Sequence, residues 1–219
     1  MATVRLHYRS WGSAENAPVI LLHGGGTDSA TWADVVAPAL SEQWRVYAPD
    51  LRGHGKSEWP GEYSLELMRD DVLELMDEIG TAPVSLVGHS MGGAVAYLVT
   101  LDSPERVRRL VLEEAPPPVP LALPMPARPA EPVPYDFDVR PAIVAQLNTP
   151  DPAWWTRADE VAVPTLVISG GPASHLPQRT LYEFAARLPG GRLVTVPAGH
   201  RVHTTAPEPF LEAVLAFLE

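Results

Sequence analysis

The stretch Val84-Ser85-Leu86-Val87-Gly88-His89-Ser90-Met91-Gly92-Gly93 decides how this chain is read. An apolar run rich in Val and Leu leads into a G-x-S-x-G match, and the helix-like Ala94-Val95-Ala96-Tyr97-Leu98-Val99-Thr100-Leu101 follows. Strand, sharp turn and helix with a serine at the tip is the context this motif needs. A serine on so tight a turn carries strained backbone angles, and small neighbours must let the chain double back. The motif alone is weak; its flanks make it informative.

Working outward, other short apolar runs alternate with helical patterns. Pro18 to Leu22 reads as a strand buried on both faces, and Arg45 to Pro49, Arg109 to Leu112, Pro164 to Ser169 and Arg192 to Val196 read as further strands. Thr3 to Trp11 alternates polar and apolar residues as a half-exposed strand near a sheet edge would. Helices are expected over Ala30 to Leu40, over Ser64 to Ile79, from Ala94 to near Pro104, over Arg179 to Leu188 and over Glu208 to Leu218, with short ones at Ile143 to Leu147 and Pro152 to Arg157. Such alternation predicts an α/β fold with a mostly parallel central sheet covered by helices on both faces. Ligands in these sheets sit beyond the carboxyl ends of the strands, where His23, Ser90, Glu114 and His200 all fall.

Composition narrows the function classes. The 219 residues suit one domain, and 16 Lys and Arg against 27 Asp and Glu give a net charge of -11. That charge argues against nucleic acid or an anionic membrane as a partner. With no cysteine, disulfides and thiolate metal sites are excluded. The alternating amino end does not read as a secretory signal and no apolar run reaches the length of a membrane span, so a cytoplasmic setting is expected. The histidines show no metal-ligand spacing and phosphate-binding glycine patterns are missing, so neither metal nor organic cofactor is expected.

Two segments stand out between the regular elements. His23-Gly24-Gly25-Gly26 ends a strand with backbone able to approach a ligand closely and to aim N–H groups at developing negative charge; a plain turn before a helix capped by Asp28 or Ser29 is the alternative. Nine prolines between Pro116 and Pro134 resist helix and central strand, so this piece should lie outside the sheet as a semi-rigid arm. His54, between two glycines, reads as part of a structural turn.

With His23-Gly24-Gly25-Gly26, Asp50-Leu51-Arg52-Gly53-His54-Gly55-Lys56-Ser57, Gly88-His89-Ser90-Met91-Gly92-Gly93 and Gly199-His200 in this order, the chain resembles the α/β-hydrolase superfamily over nearly its whole length. The resemblance implies a core of residues 1–115 and 164–219 and a short, proline-rich cap over 116–163. It implies Ser90 as nucleophile, His200 as base in preference to His203, and the Gly25 and Met91 N–H groups as oxyanion hole. The usual acid position holds Ala173. Some relatives carry the acid at the end of the preceding strand instead, which points to Glu114, with Glu113 as its rival because alternation turns only one of the two toward the site. Trp154, Trp155, Tyr135 and Phe137 of the cap are candidates to touch the substrate, although a Trp pair is more readily explained by packing.

The expected activity is serine hydrolysis of a small ester, lactone or thioester through an acyl-enzyme on Ser90. Serine in place of aspartate disfavours the dehalogenase and epoxide hydrolase branches, which use a carboxylate nucleophile. A carbon–carbon lyase or perhydrolase on the same scaffold, or a ligand-binding relative with an impaired triad, is the alternative. A small molecule is the only partner expected.

Overall fold

The computed structural model of the chain describes residues 3–80 and 83–219; Met1 and Ala2, part of the alternating amino end and of the first core segment, lie outside it, as do residues 81 and 82. Seven strands form one sheet: β1 (Tyr8–Trp11), β2 (Pro18–Leu22), β3 (Arg45–Pro49), β4 (Val84–His89), β5 (Val107–Glu113), β6 (Thr165–Ser169) and β7 (Gly191–Thr195). Their order is β1-β3-β2-β4-β5-β6-β7, antiparallel only between β1 and β3.

Alternation along the strands sorts side chains into two cores, because successive residues point to opposite faces. Ile20, Leu22, Leu86, Leu110, Leu112 and Val167 face one layer. Val19, Leu21, Val87, Val111, Leu166 and Ile168 face the other. The first layer is covered by α2 (Leu65–Glu78), α3 (Met91–Asp102) and α6 (Gln178–Arg187), the second by α1 (Val36–Leu40) and α7 (Pro207–Leu218). β4 lies at the centre with all six residues buried. Its carboxyl end is therefore walled by the ends of β2 and β5.

Two expected elements are shorter than the pattern suggested. The helix over Ala30 to Leu40 splits into a 3-10 turn at Ser29–Trp32 and α1. Pro38 has no N–H to bond the Asp34 carbonyl and its ring crowds that group, so one continuous helix cannot pass through. At the amino end only Tyr8–Trp11 pairs as a strand. Upstream, the Val4 N–H donates to Asp71 Oδ1 at 2.8 Å and the His7 N–H to Ser57 Oγ at 2.8 Å, so side chains take donors that a ladder would use. Val4 and Leu6 are nevertheless buried.

Between β5 and β6 the chain crosses above the strand ends. The proline-rich segment carries no helix or strand through Asp138, apart from one bridge between Tyr135 and His54. It is tied down by short hydrogen bonds: Asn148 exchanges side-chain bonds with the Leu123 backbone at 2.7 and 2.9 Å, and the Asp136 N–H donates to Gly53 O at 2.8 Å. Then come α4 (Val139–Asn148) and α5 (Pro152–Thr156). Gln146 of α4 holds the start of α2, accepting from Leu65 N–H at 2.8 Å and donating to Glu66 at 2.5 Å. Among the described residues no helix is long and apolar enough to cross a membrane.

Candidate active site

Ser90 sits where β4 ends and α3 begins, with φ 51° and ψ -119°. A non-glycine residue at positive φ is strained, and it persists only where its surroundings hold it. Here they do. The Ser90 N–H donates to Glu113 O at 2.9 Å, and its carbonyl accepts from Gly93 and Ala94 at 2.9 and 3.1 Å. The flanking glycines are sterically required: a Cβ on Gly88 would lie 2.4 Å from Gly92 O, and one on Gly92 would lie 2.4 Å from Leu22 O. The turn is therefore as tight as the motif predicted, and it packs against the end of β2.

The His200 Nε2 lies 2.9 Å from Ser90 Oγ, and its Nδ1 lies 3.3 Å from Glu114 Oε2. A carboxylate can only accept, so Nδ1 carries the hydrogen and Nε2 is left to accept from the serine hydroxyl. Glu114 follows β5 with φ 47°, a turn out of the strand that brings its side chain across to His200. Its carboxylate is fully buried. Gly170 N–H donates to Oε1 at 2.5 Å, Gln178 Nε2 donates to the same oxygen at 3.2 Å, and the Ser174 hydroxyl donates to Oε2. Burial pushes this carboxyl up, while the hydrogen bonds from His200, Ser174 and Gly170 together outweigh burial and hold it below the ordinary carboxylate range. The loop around Ala173, the usual acid position, thus contributes donors that fix an acid brought from β5.

Glu113 and His203, the rivals, pair with each other. Glu113 continues the alternation of β5 toward the second layer, where its carboxylate accepts from the His203 backbone N–H at 2.8 Å and lies 2.8 Å from His203 Nδ1. His203 Nε2 lies 2.9 Å from Thr31 Oγ1. Both side chains are buried, and neither contacts Ser90 in any hydrogen bond among the described residues. His89, Glu113 and His203 bring ligand-type atoms within 4.8 Å of one another. His89 instead bonds the site's backbone: its Nε2–H donates to His200 O at 2.8 Å, and burial lowers this histidine to about 4, so it stays neutral.

The glycine loop after β2 is pinned by two buried, neutral histidines. His23 donates from Nδ1 to Gly24 O at 2.8 Å and accepts the Leu51 N–H at Nε2, also at 2.8 Å. His54 donates to Arg52 O at 3.0 Å and accepts the Gly26 N–H at 3.1 Å. Burial lowers them to about 4 and about 3. His54 is therefore structural, as its turn context suggested, and it is what holds the loop in place. Gly25 and Met91 meet Ser90 on one cavity wall, and neither N–H donates to a protein acceptor among the described residues.

That cavity, of about 250 Å³, is bounded by Ser90 and His200 below and by Leu123, Ile143, Leu147 and Leu176 above. The four aromatics proposed to touch a substrate do not line it. Trp154 is packed in the first core with its carbonyl accepting from Tyr97 Oη at 2.5 Å, and Trp155 lies against Phe184 and Arg187. Tyr135 stacks on His54 at 5.6 Å, and Phe137 is covered by Arg128 at 4.6 Å. The reason is the path of the arm: residues 116–123 run along α4 and put aliphatic groups over the serine, while the aromatic stretch is drawn toward Gly53. The sequence reading missed Arg140 and His175. The Arg140 guanidinium donates to Gly25 O at 3.0 Å, and the His175 ring lies 4.1 Å from that of His200. Neither belongs to a motif, so nothing local announced them.

A family model described as alpha/beta hydrolase fold matches residues 17–149. Over 109 residues the chain is 41% identical to the soluble epoxide hydrolase of Corynebacterium sp. (strain C12), a match covering 49% of this chain and 37% of that protein. The curated relatives are thus matched over well under half of their length. Among solved structures, a hydrolase from Pseudomonas aeruginosa PA01 superposes with a TM-score of 0.82 at 30% identity, over 98% of this chain and 94% of that one. The enol-lactonase from Burkholderia xenovorans LB400 superposes with a TM-score of 0.84 at 26% identity, over 98% and 96%. These relatives are hydrolases by name, and the chain belongs to the α/β-hydrolase fold family.

Proposed function

We propose that this protein is a serine hydrolase that cleaves a small-molecule ester, lactone or thioester through an acyl-enzyme on Ser90. One observation carries the reading: the continuous relay from Ser90 Oγ through His200 to a buried, hydrogen-bonded Glu114 carboxylate, at the floor of a cavity. In this reading His200 Nε2 takes the serine proton as Oγ attacks the carbonyl carbon. The oxygen of the tetrahedral intermediate moves into the Gly25 and Met91 N–H groups, which have no other acceptor among the described residues; Gly25 lies on the loop after β2 and Met91 opens α3. His200 then returns the proton to the leaving group, and the same steps with water release the acid. Glu114 holds the imidazole in the required tautomer and stabilises its cationic form.

The aliphatic cavity roof supports a small acyl group. The soluble epoxide hydrolase among the relatives does not set the chemistry here, because a serine stands where that branch carries a carboxylate nucleophile. The Glu114 relay argues against a ligand-binding relative with an impaired triad, since the acid missing at Ala173 is supplied from β5. Incubation with a fluorophosphonate probe tests the reading. Rapid labelling on Ser90, lost in Ser90→Ala and His200→Ala, is expected; folded protein that takes up no label and turns over no activated ester would overturn it.

A further inference from the structure

The cavity at Ser90 has a charge character opposite to that of the protein. The chain carries 27 acidic against 16 basic side chains, yet among the described residues no Asp or Glu lines this cavity and two arginines, Arg140 and Arg201, do. Arg201 is exposed at the mouth. Arg140, on the first turn of α4, is half-buried inside. Its Nη1 donates to Gly25 O, and among the described residues it makes no ion pair, whereas Arg52, Arg69 and Arg106 are each paired with a carboxylate. A guanidinium held in an enclosed site by one carbonyl leaves most of its donor fork unengaged, and that fork matches a carboxylate in a bidentate pair.

Position narrows the ligand further. A Cβ at Gly25 would lie 3.9 Å from Arg140 Nη1, and one at Gly26 would lie 3.1 Å away. The guanidinium therefore lies directly on the loop whose Gly25 N–H faces the reacting carbonyl. A carboxylate paired with it sits only a few bonds from that carbonyl, in a cavity of about 250 Å³.

We propose that the site takes a short acyl group ending in a carboxylate, a hemiester or lactone of a small dicarboxylic acid, and that Arg140 receives the carboxylate. This specificity rests on the serine hydrolase reading above. Arg140 also steadies Gly25 through its carbonyl, so its loss alone would slow every substrate. The discriminating quantity is the ratio between a charged and a neutral substrate of one shape.

Monoethyl glutarate and ethyl 5-methylhexanoate, in which an isopropyl end replaces the carboxylate, form such a pair, with acid release followed in a pH-stat. The wild type is expected to favour monoethyl glutarate in kcat/KM by about ten-fold or more, the range of a charge-assisted hydrogen bond. Arg140→Met should abolish that preference while Arg140→Lys retains part of it, and added salt should weaken it. Equal turnover of the two esters, or a preference that survives Arg140→Met, overturns the proposal and leaves the hydrolase reading intact. Calorimetry on Ser90→Ala, which needs no chemistry, separates the two ideas: glutaramate should bind about ten-fold tighter than neutral glutaramide. Equal binding overturns the carboxylate subsite even if Ser90 reacts with no ester. Absence of probe labelling with tight glutaramate binding would overturn the hydrolase reading alone.

Discussion

Replacing Glu114 by Gln preserves the shape of the site and removes its charge. The amide oxygen can keep the Gly170 N–H, but the amide NH₂ then faces Ser174 Oγ and His200 Nδ1, where the carboxylate accepted before. To accept from that NH₂, Nδ1 must give up its hydrogen. The proton moves to Nε2, which then cannot accept from Ser90. Even where the amide flips, the imidazolium formed during attack loses a unit charge at 3.3 Å. At an effective dielectric constant of about 20 that attraction is about 5 kcal/mol. Since each 1.36 kcal/mol or so is a factor of ten in rate, kcat should fall by nearly four orders of magnitude, about 3.7 decades. The assay is turnover of an activated ester beside thermal unfolding of the same preparation. A Glu114→Gln protein that folds and keeps kcat within about three-fold of wild type would refute the relay, because no other acid among the described residues hydrogen-bonds His200. Glu113→Gln is the companion: it should lower stability through His203 and leave most of kcat.

The remaining predictions concern the frame around the site. His23, His54 and His89 are lowered by burial from 6.5 to about 4, 3 and 4. The unfolded chain therefore binds more protons below pH 6.5, so stability is full above that pH and is lost as pH falls. At pH 5.5 each contributes a loss of about 1.4 kcal/mol, together roughly 4 kcal/mol; urea unfolding at pH 7.5 and 5.5 measures it, and an unchanged midpoint would show that these rings are protonated as easily in the fold as in the open chain. Trp154→Ala removes a side chain packed in the first core, so stability should drop by about 3–5 kcal/mol with KM within two-fold of wild type. A large rise in KM in still-folded protein would return Trp154 to the substrate.

How much was legible varied with how local the cause was. The strands were readable because each is short, apolar and bounded by turns, and the alternation of Ile20 and Leu21 or Leu86 and Val87 already encoded two layers. The Ser90 turn was readable because the glycines on either side admit no side chain at all. The split helix at Pro38 shows the limit of periodicity: the apolar spacing continues across a residue that cannot carry the hydrogen bond.

The sequence by itself determined a doubly covered, mostly parallel sheet and a serine presented at its central strand end, since both follow from residue spacing and from which side chains a tight turn excludes. It also placed His200 after a glycine where a strand ends. Only the tertiary structure decided which of Glu113 and Glu114 meets His200, because both leave the same strand: Glu113 pairs with His203, whereas Glu114 meets His200 and the donors of the Gly170 to Gln178 loop. It likewise decided that aliphatic residues and Arg140, rather than the cap aromatics, enclose the serine. The path of a proline-rich arm is set by anchors far away in sequence, such as Gly53 and Asn148, and no pattern within the arm records them.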